Sequence, residues 1–402
     1  MCLRCYEKIF TRLQGFSLEL ISDMFFRGFK VKILTVLGAR PQFIKAAAIS
    51  REILSNYTRG NGKSICEVIV HTGQHFDANM SNVFFEQMDI PTPDYNLKIS
   101  GFSHGKMTGR MIEEIEELLK KERPDCVLLY GDTNSTLAGA IATSKMGIPV
   151  VHVEAGLRSH NMSMPEEINR ILTDRVSDYL FCPTESAVKN LKLEGFPFET
   201  PRIKNQLINN VGDVMLDAML FYKDKASKEV GLEGWGIKEK EYALCTLHRQ
   251  ENTDDPSRLL NILSALQEVS ISFCPVLLPL HPRTKKKIVE LNSKDVLDGI
   301  KVVEPLSYLE IQRLQMGAKM IFTDSGGMQK EAYFHKVPCI TLRDETEWVE
   351  TVDSGWNKLA GASKVRILQY AHDATLSERE HCNHYGDGEA AKKIVKCLSE
   401  NI

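Results

Sequence analysis

From Val31 onward, apolar residues along the chain fall into two alternating periods. Short continuous runs rich in β-branched residues close on a glycine or a polar cluster, and each is followed by a longer stretch with apolar positions three and four apart. "VKILTVLG" is the first run and ends at Gly38. "PQFIKAAAISREIL" behind it has helical spacing, with Pro41 in the first turn, where its missing N–H is harmless. The cycle repeats as "CEVIVHTG" (strand), "GKMTGRMIEEIEELLKK" (helix), "DCVLLYG" (strand) and "TNSTLAGAIATSKMG", a helix whose small residues permit close packing. "IPVVHVEAG", "MPEEINRILTDRVSD" and "YLFCPT" then read as strand, helix and strand. Strands and helices alternating at these lengths predict a right-handed, doubly wound parallel sheet.

After "ETPRIKNQLINNVGD" the cycle restarts. "YALCTLH", "RLLNILSALQEV", "CPVLLPLH", "IKVVEPL", "YLEIQRLQMGA", "KMIFTDSGG", "MQKEAYFH" and "VPCITLRD" build a second βα domain of similar size. The fold class predicted is α/β, two Rossmann-like doubly wound domains facing a cleft, with ligands taken at the carboxyl ends of the strands. Residues 1–30 form an N-terminal extension, 31–206 with 385–402 the first domain, and 207–384 the second.

Bulk composition agrees with that plan. A chain of 402 residues exceeds the size of a single core, and 43% hydrophobic with 26% charged residues is a soluble globular profile. The net charge of −3 leaves no nucleic-acid footprint, and no apolar stretch approaches the roughly 20 residues a bilayer span needs. A cytoplasmic protein without membrane or nucleic-acid partners is expected. Ten cysteines, scattered singly apart from Cys2 and Cys5, read as reduced thiols. The first thirty residues lack an apolar signal core and a cleavage site, and read as an appendage or an upstream start with Met24 as the alternative first residue.

Candidate chemistry sits where strands end. In "TDSGGMQKEA", Ser325, Gly326 and Gly327 open a helix after a strand, so free N–H groups and the positive helix end suit a phosphate, while Glu331 suits a ribose diol; an ordinary tight turn is the alternative. Arg40 and Lys45 flank the first strand end and could meet a second negative charge. Asp132 and Glu154 follow two buried strands, and Glu166 with Glu167 begins the next helix. Carboxylates crowded at one rim raise each other's pKa and suit general acid/base work, although Glu166 and Glu167 equally suit a helix start. His248 and Arg249 end the second domain's first strand, His281 and Arg283 follow a later one, and Arg343 another. Other motifs fail: no G-x-G-x-x-G lies near Gly38, "GFSHGKM" has Met107 where a P-loop needs Ser or Thr, and His381, Cys382 and His384 read as a polar loop, so no metal site is expected.

In combination, "GARPQFIK", "GDTNSTLAG", "HVEAGLRS", "PEEINR", "TDSGGMQKEA", "LRDETEW" and "YGDG" resemble the non-hydrolysing UDP-N-acetylglucosamine 2-epimerases, from Lys32 to about Ala391. The resemblance implies a glycosyltransferase-B-like pair of Rossmann domains, a homodimer, and C2 inversion of a UDP-linked 2-acetamido sugar by elimination and return of UDP, with no cofactor. It implies acid/base roles for Asp132, Glu154 and Glu166, with His248 near the departing phosphate. UDP contacts are implied for Arg40, Lys45, Gln74, His248, Ser325, Gly326, Gly327, Glu331 and Arg343. Typical bacterial members carry Gln-His-Arg and Thr-Thr-Glu-Arg-Pro segments where this chain reads "GQHFDANM" and "RDETEWVE". Such variants resemble the branch acting on UDP-2,3-diacetamido-2,3-dideoxyglucuronate, whose C6 carboxylate would call for a cation such as Arg158, Arg170 or Arg249. Interconversion of UDP-GlcNAc and UDP-ManNAc is therefore the leading implication, with the diacetamido uronate as alternative. A glycosyltransferase using a UDP-sugar is the alternative of another class.

Overall fold

The structure is a computed structural model that describes residues 31–59, 64–74, 85, 90–200, 202–203, 205–291, 294–375 and 379–402. Cys2, Cys5 and the N-terminal extension lie outside the described residues.

The chain divides into two compact units, one ending at Ala218 and taking in His384–Ile402, the other Met219–Asn383. In the first, the order is β1 (Val31–Leu37), α1 (Arg40–Arg59), β2 (Ile65–His71), β3 (Tyr95–Asn96), α2 (His104–Glu122), β4 (Cys126–Tyr130), α3 (Asn134–Lys145), β5 (Val150–Val153), α4 (Pro165–Val176), β6 (Tyr179–Cys182), α5 (Glu185–Leu193), β7 (Leu207–Asn210) and the start of α6 (Val214–Glu229). Its strands form one seven-stranded sheet, ordered β3-β2-β1-β4-β5-β6-β7, every pair parallel.

The second unit runs β8 (Ala243–Thr246), α7 (Gln250–Thr253), α8 (Pro256–Ser272), β9 (Val276–Pro279), α9 (Pro282–Glu290), β10 (Lys301–Val303), α10 (Tyr308–Gly317), β11 (Met320–Thr323), α11 (Gly326–Phe334), β12 (Cys339–Thr341), α12 (Val349–Asp353), β13 (Asn357–Leu359) and α13 (Lys364–Ala374). Its six strands are ordered β10-β9-β8-β11-β12-β13, again all parallel. The expectation of two doubly wound parallel sheets is met. In each sheet the strand order reverses once, between β1 and β4 and between β8 and β11, the position where such sheets take ligands.

Burial on both faces explains the continuous apolar runs. Every residue of β4 is buried, and Leu34, Val36, Val127 and Leu129 meet Met111, Ile115 and Leu119, spaced four apart along α2. In the second unit Leu259, Ile262, Leu263 and Leu266 of α8 close over Ala243, Cys245, Val276 and Leu278. Leu207–Asn210, where the sequence pattern restarts, are the edge strand β7 paired with β6; two asparagines and partial exposure leave no apolar run to mark it.

The chain returns to the first unit through α14 (Ala390–Asn401), whose Ile394, Val395 and Leu398 are buried and which packs against α1. The Asp213 amide donates to the Tyr385 carbonyl at 2.9 Å, and Asp217 accepts from the Ala390 and Ala391 amides at 3.1 and 2.7 Å. Backbones meet closely there. Gly386 has φ +90°, and a β-carbon on it would lie 3.0 Å from Gly212 Cα. No helix among the described residues is long and apolar enough to cross a membrane. Cys126, Cys182, Cys245, Cys274 and Cys339 are buried free thiols, each pushed up in pKa by burial.

Two glycines should respond in opposite directions. Gly386→Ala meets both the left-handed backbone and Gly212, and should cost about 1–3 kcal/mol. Gly109→Ala at an exposed position of α2, where a β-carbon meets nothing within 4 Å, should gain up to about 1 kcal/mol. Urea midpoints at unchanged slope measure both.

Candidate active site

At the reversal point of the first sheet, Gln42 ties two loops together from a buried position. Its carbonyl accepts from the Gly38 and Ala39 amides at 2.8 and 3.0 Å, and its amide donates to Tyr130 O at 2.6 Å, Thr136 Oγ1 at 3.0 Å and Thr133 Oγ1 at 3.1 Å. Thr133 and Thr136 form a capping box on α3. Gln74 stands beside this junction, its carbonyl accepting from Ser135 N at 2.9 Å and Ser135 Oγ at 2.7 Å. Arg40, half-buried, opens α1.

Asp132 and Glu154 sit on the same rim, and each is matched to a cation. Glu154 follows β5 in the left-handed region at φ +74° and pairs with the ammonium of Lys45, both largely buried. Gly131 also has φ +62°, and a β-carbon there would lie 3.1 Å from Glu154 Oε2, so glycine ends strand β4 against this pair without strain or crowding. Asp132, its side chain 31% exposed, accepts on Oδ2 from Arg170 Nη2 at 2.6 Å and Nε at 3.0 Å. The Asn169 amide holds the Asp132 carbonyl at 2.8 Å. Beside the crowding of carboxylates expected from the sequence, the structure therefore places Lys45 and Arg170.

Of the two glutamates that open α4, Glu166 is half-buried and Glu167 is buried. Glu167 takes Arg170 Nη1 at 2.7 Å, Ser159 N at 3.0 Å and His160 N at 2.9 Å. Burial pushes its carboxyl up, but the bonds from Ser159, Arg170 and His160 outweigh that and hold it below the usual range. Loop and helix start are thereby locked together.

Beneath them lies a fully buried network. Asp174 of α4 accepts from His152 Nδ1 at 2.7 Å, Arg158 Nη1 at 2.7 Å and Gly156 N at 3.1 Å. His152 Nε2 reaches Gly131 O at 2.8 Å, next to Asp132. Arg158 continues to Glu194 through two bonds of 2.7 and 2.8 Å. Burial raises the Asp174 carboxyl, but His152 and Arg158 more than offset it and hold it below its usual value.

The second sheet's rim is organised by Asp324, buried at the end of β11. Its carboxylate accepts from the amides of His248 at 3.0 Å and Arg249 at 2.9 Å, and lies 3.4 Å from His248 Nδ1. The His248 ring, 39% exposed, stands 5.8 Å from the His281 ring. His281 caps α9, accepting from the Arg283 amide at 3.2 Å, and Arg283 pairs with Asp254 at 2.8 Å. Ser325 precedes α11 without capping it through its side chain. The two glycines differ: a β-carbon on Gly326 would lie 2.4 Å from Glu347 Oε1, whereas one on Gly327 meets nothing within 4 Å. Four residues on, and so on the same helix face as Gly327, Glu331 is 7% exposed and accepts from Gln315 Nε2 at 2.6 Å. Arg343 is buried between Glu347, 3.1 Å away, and Glu251 at 3.7 Å.

The structure therefore gathers Lys45, Gln74, Asp132 and Glu154 at one rim, with Arg40 and Glu166 at neighbouring helix starts. It gathers His248, Ser325, Gly326 and Gly327 at the other, and Arg343 is engaged with internal carboxylates. Arg158 and Arg170 are likewise held in internal pairs, and Arg249 is the N-cap residue of α7. Sequence reasoning misses Gln42, His152, Asp174, Gln315 and Asp324 as organisers, and names Glu167 without separating it from Glu166. Among the described residues no group of His, Cys, Asp or Glu could hold a metal, and His381 packs in the polar loop, its ring 4.4 Å from Tyr333.

A family model described as UDP-N-acetylglucosamine 2-epimerase matches residues 60–399. A Pseudomonas aeruginosa protein named UDP-2,3-diacetamido-2,3-dideoxy-D-glucuronate 2-epimerase is 52% identical, the match covering 92% of this chain and 100% of that protein. A Methanocaldococcus jannaschii UDP-N-acetylglucosamine 2-epimerase is 43% identical over 92% of this chain and 99% of its own length. A crystal structure of a UDP-GlcNAc 2-epimerase from the same organism, in complex with UDP-GlcNAc and UDP, superposes with a TM-score of 0.82 at 43% identity, covering 92% of this chain and 100% of that one.

Removing the buried node should be severe. Asp174→Ala strands the His152 and Arg158 side chains and should cost about 3–5 kcal/mol, whereas Glu194→Ala, at a partly exposed outer partner, should cost about 1 kcal/mol or less. The pH signature follows from the lowered Asp174 carboxyl: its stabilisation is fully present above the unfolded value of 3.8 and is lost as pH falls through the lower folded value. Denaturant titrations from pH 7 to pH 3 should show the gap between Asp174→Asn and the parent closing only in acid.

Proposed function

The chain belongs to the UDP-N-acetylglucosamine 2-epimerase family, and on that premise we propose that it interconverts the C2 epimers of a UDP-linked 2-acetamido sugar by elimination and re-addition of UDP. A carboxylate takes the proton from C2, the C2–H electrons form the C1=C2 double bond, and the C1–O bond breaks with its electrons leaving on UDP. A second carboxylic acid then protonates C2 from the opposite face as UDP returns to C1. The observation that carries this reading is the placement of Asp132 and Glu154 at adjacent strand ends, on the rim where parallel sheets bind ligands. Glu166, at the start of α4, is the third acid/base candidate.

Positioning supports the same assignment. Arg170 and Asn169 fix Asp132, and Lys45 with Gly131 fixes Glu154, so neither carboxylate must reorganise before a proton moves. In the second unit the start of α11 takes the diphosphate, with His248 at the departing oxygen and Glu331, about one turn along from Gly327, at the ribose. Arg40, Lys45 and Gln74 complete the UDP-binding set, together with Arg343, which would have to exchange Glu347 or Glu251 for the nucleotide. The enzyme acts as a cytoplasmic homodimer.

Two sugars fit. UDP-GlcNAc, interconverted with UDP-ManNAc, is the first; UDP-2,3-diacetamido-2,3-dideoxyglucuronate is the second, favoured by the name of the 52% identical relative. With Arg158 and Arg170 held internally, Arg249 is the arginine to test against a C6 carboxylate.

Incubation in D₂O with each sugar nucleotide, followed by NMR at C2, tests the reading. Deuterium at C2 in an intact UDP-sugar is expected for one of them. Asp132→Asn and Glu154→Gln should abolish exchange while UDP affinity stays within about tenfold, because these groups act in the transition state more than in binding. UDP release without return, transfer to an acceptor, or no exchange on either substrate would overturn it.

A further inference from the structure

Two glutamines of α10 cover the face of α11 that carries Glu331. Gln312 and Gln315 have no solvent exposure: Gln312 Oε1 lies 2.9 Å from Nε2 of His335, the C-cap residue of α11, and Gln315 Nε2 donates to Glu331 Oε2 within the helix at 2.6 Å. Burial pushes His335 down to about 3, with Lys223 and Lys240 adding to the shift, so the ring is neutral. A neutral ring donates one N–H, which Gln312 accepts. The pair is a spacer, without a charge to steer Glu331.

Each glutamine leaves one buried atom without a hydrogen bond, Gln312 its Nε2 and Gln315 its carbonyl Oε1, and Gln315 differs in that its other end meets a carboxylate rather than a ring. Leaving such an acceptor unsatisfied costs about 1–3 kcal/mol, which an apolar residue of similar shape would avoid. The amide end supplies the compensation. A glutamate's terminal torsion is broad, so a carboxylate presented from a helix face samples many planes unless something fixes it. The charge-assisted bond from Gln315 fixes one oxygen of Glu331.

We infer that Gln315 is a positioning residue that sets the plane of the Glu331 carboxylate for a vicinal diol, and so determines selectivity for ribonucleotides over 2′-deoxyribonucleotides. The inference rests on the proposed contact of Glu331 with ribose. Pre-organising an acceptor for two hydroxyls rewards a ligand that has both, and does little for one that lacks the 2′-OH.

Calorimetric titration of the full chain with UDP and with 2′-deoxy-UDP reads this out. Gln315→Leu removes the orphaned carbonyl as well as the donor, so the fold should survive, which circular dichroism checks. The expected result is a loss of about five- to tenfold in UDP affinity with 2′-deoxy-UDP unchanged within about twofold, the size of one charge-assisted bond's orientation effect. Equal losses for both nucleotides, or an unchanged ratio, would overturn the inference. Glu331→Gln separates the two levels: if it collapses the ratio while Gln315→Leu does not, the inference alone fails. If Glu331→Gln leaves the ratio intact, the ribose contact itself is wrong.

Discussion

A carboxylate sealed from solvent, Asp174, is the constraint on which the rim of the first sheet depends. Burying a charge costs several kcal/mol, and the cost is offset only because His152, Arg158 and the Gly156 amide all converge on it. Through His152 the same carboxylate reaches the carbonyl of Gly131, and through Arg158 it reaches Glu194 and so α5. The ends of β4 and β5, the last turn of α4 and helix α5 are therefore one polar unit. The second sheet uses the same device with different parts, since Asp324 binds the amides of His248 and Arg249 directly from the end of β11. In both rims a buried acid shapes backbone, while other residues face outward.

That arrangement explains which parts were legible in the sequence. Strand and helix alternation is local, so the apolar runs from "VKILTVLG" to "VPCITLRD" reveal the parallel sheets without any knowledge of contacts. Asp132, Glu154 and Ser325 announce themselves because they lie within two residues of the carboxyl end of a buried strand, although Asp324, equally placed, serves the backbone instead. Partner choice is another matter. Arg170 lies 38 residues from Asp132, and Lys45 lies 109 from Glu154, and no periodicity links such positions. Glu166 and Glu167 look equivalent as letters; only the backbone of Ser159 and His160, turned to face the second, makes it structural. The two-residue strand β3 and the asparagine-bearing β7 are invisible for a simpler reason: they are short or polar and bury little.

The rim also holds its shape under strain. Gly131, Glu154 and His160 all occupy the left-handed region, two of them against the preference of a residue with a β-carbon. Such positions cost about 1–3 kcal/mol each and persist only where the surroundings over-determine them. Lys45 beside Glu154, and Glu167 on the amide of His160, are those surroundings. A carboxylate on a strained but fixed backbone has few alternative orientations, which suits a group that must meet one carbon.

The return of residues 384–402 to the first unit has a consequence for biosynthesis. Strands β1 to β7 are all made before Met219, yet the Tyr385 carbonyl and the amides that begin α14 are translated only after the whole second unit. At about 5–20 residues per second, the earlier unit waits on the order of ten seconds or more with one flank of α1 uncovered. The second unit, contiguous in sequence, needs no such wait and can close first. The half of the molecule that emerges earlier from the ribosome is thus the half that matures later, and the exposed flank of α1 is the surface a chaperone would meet on the nascent chain.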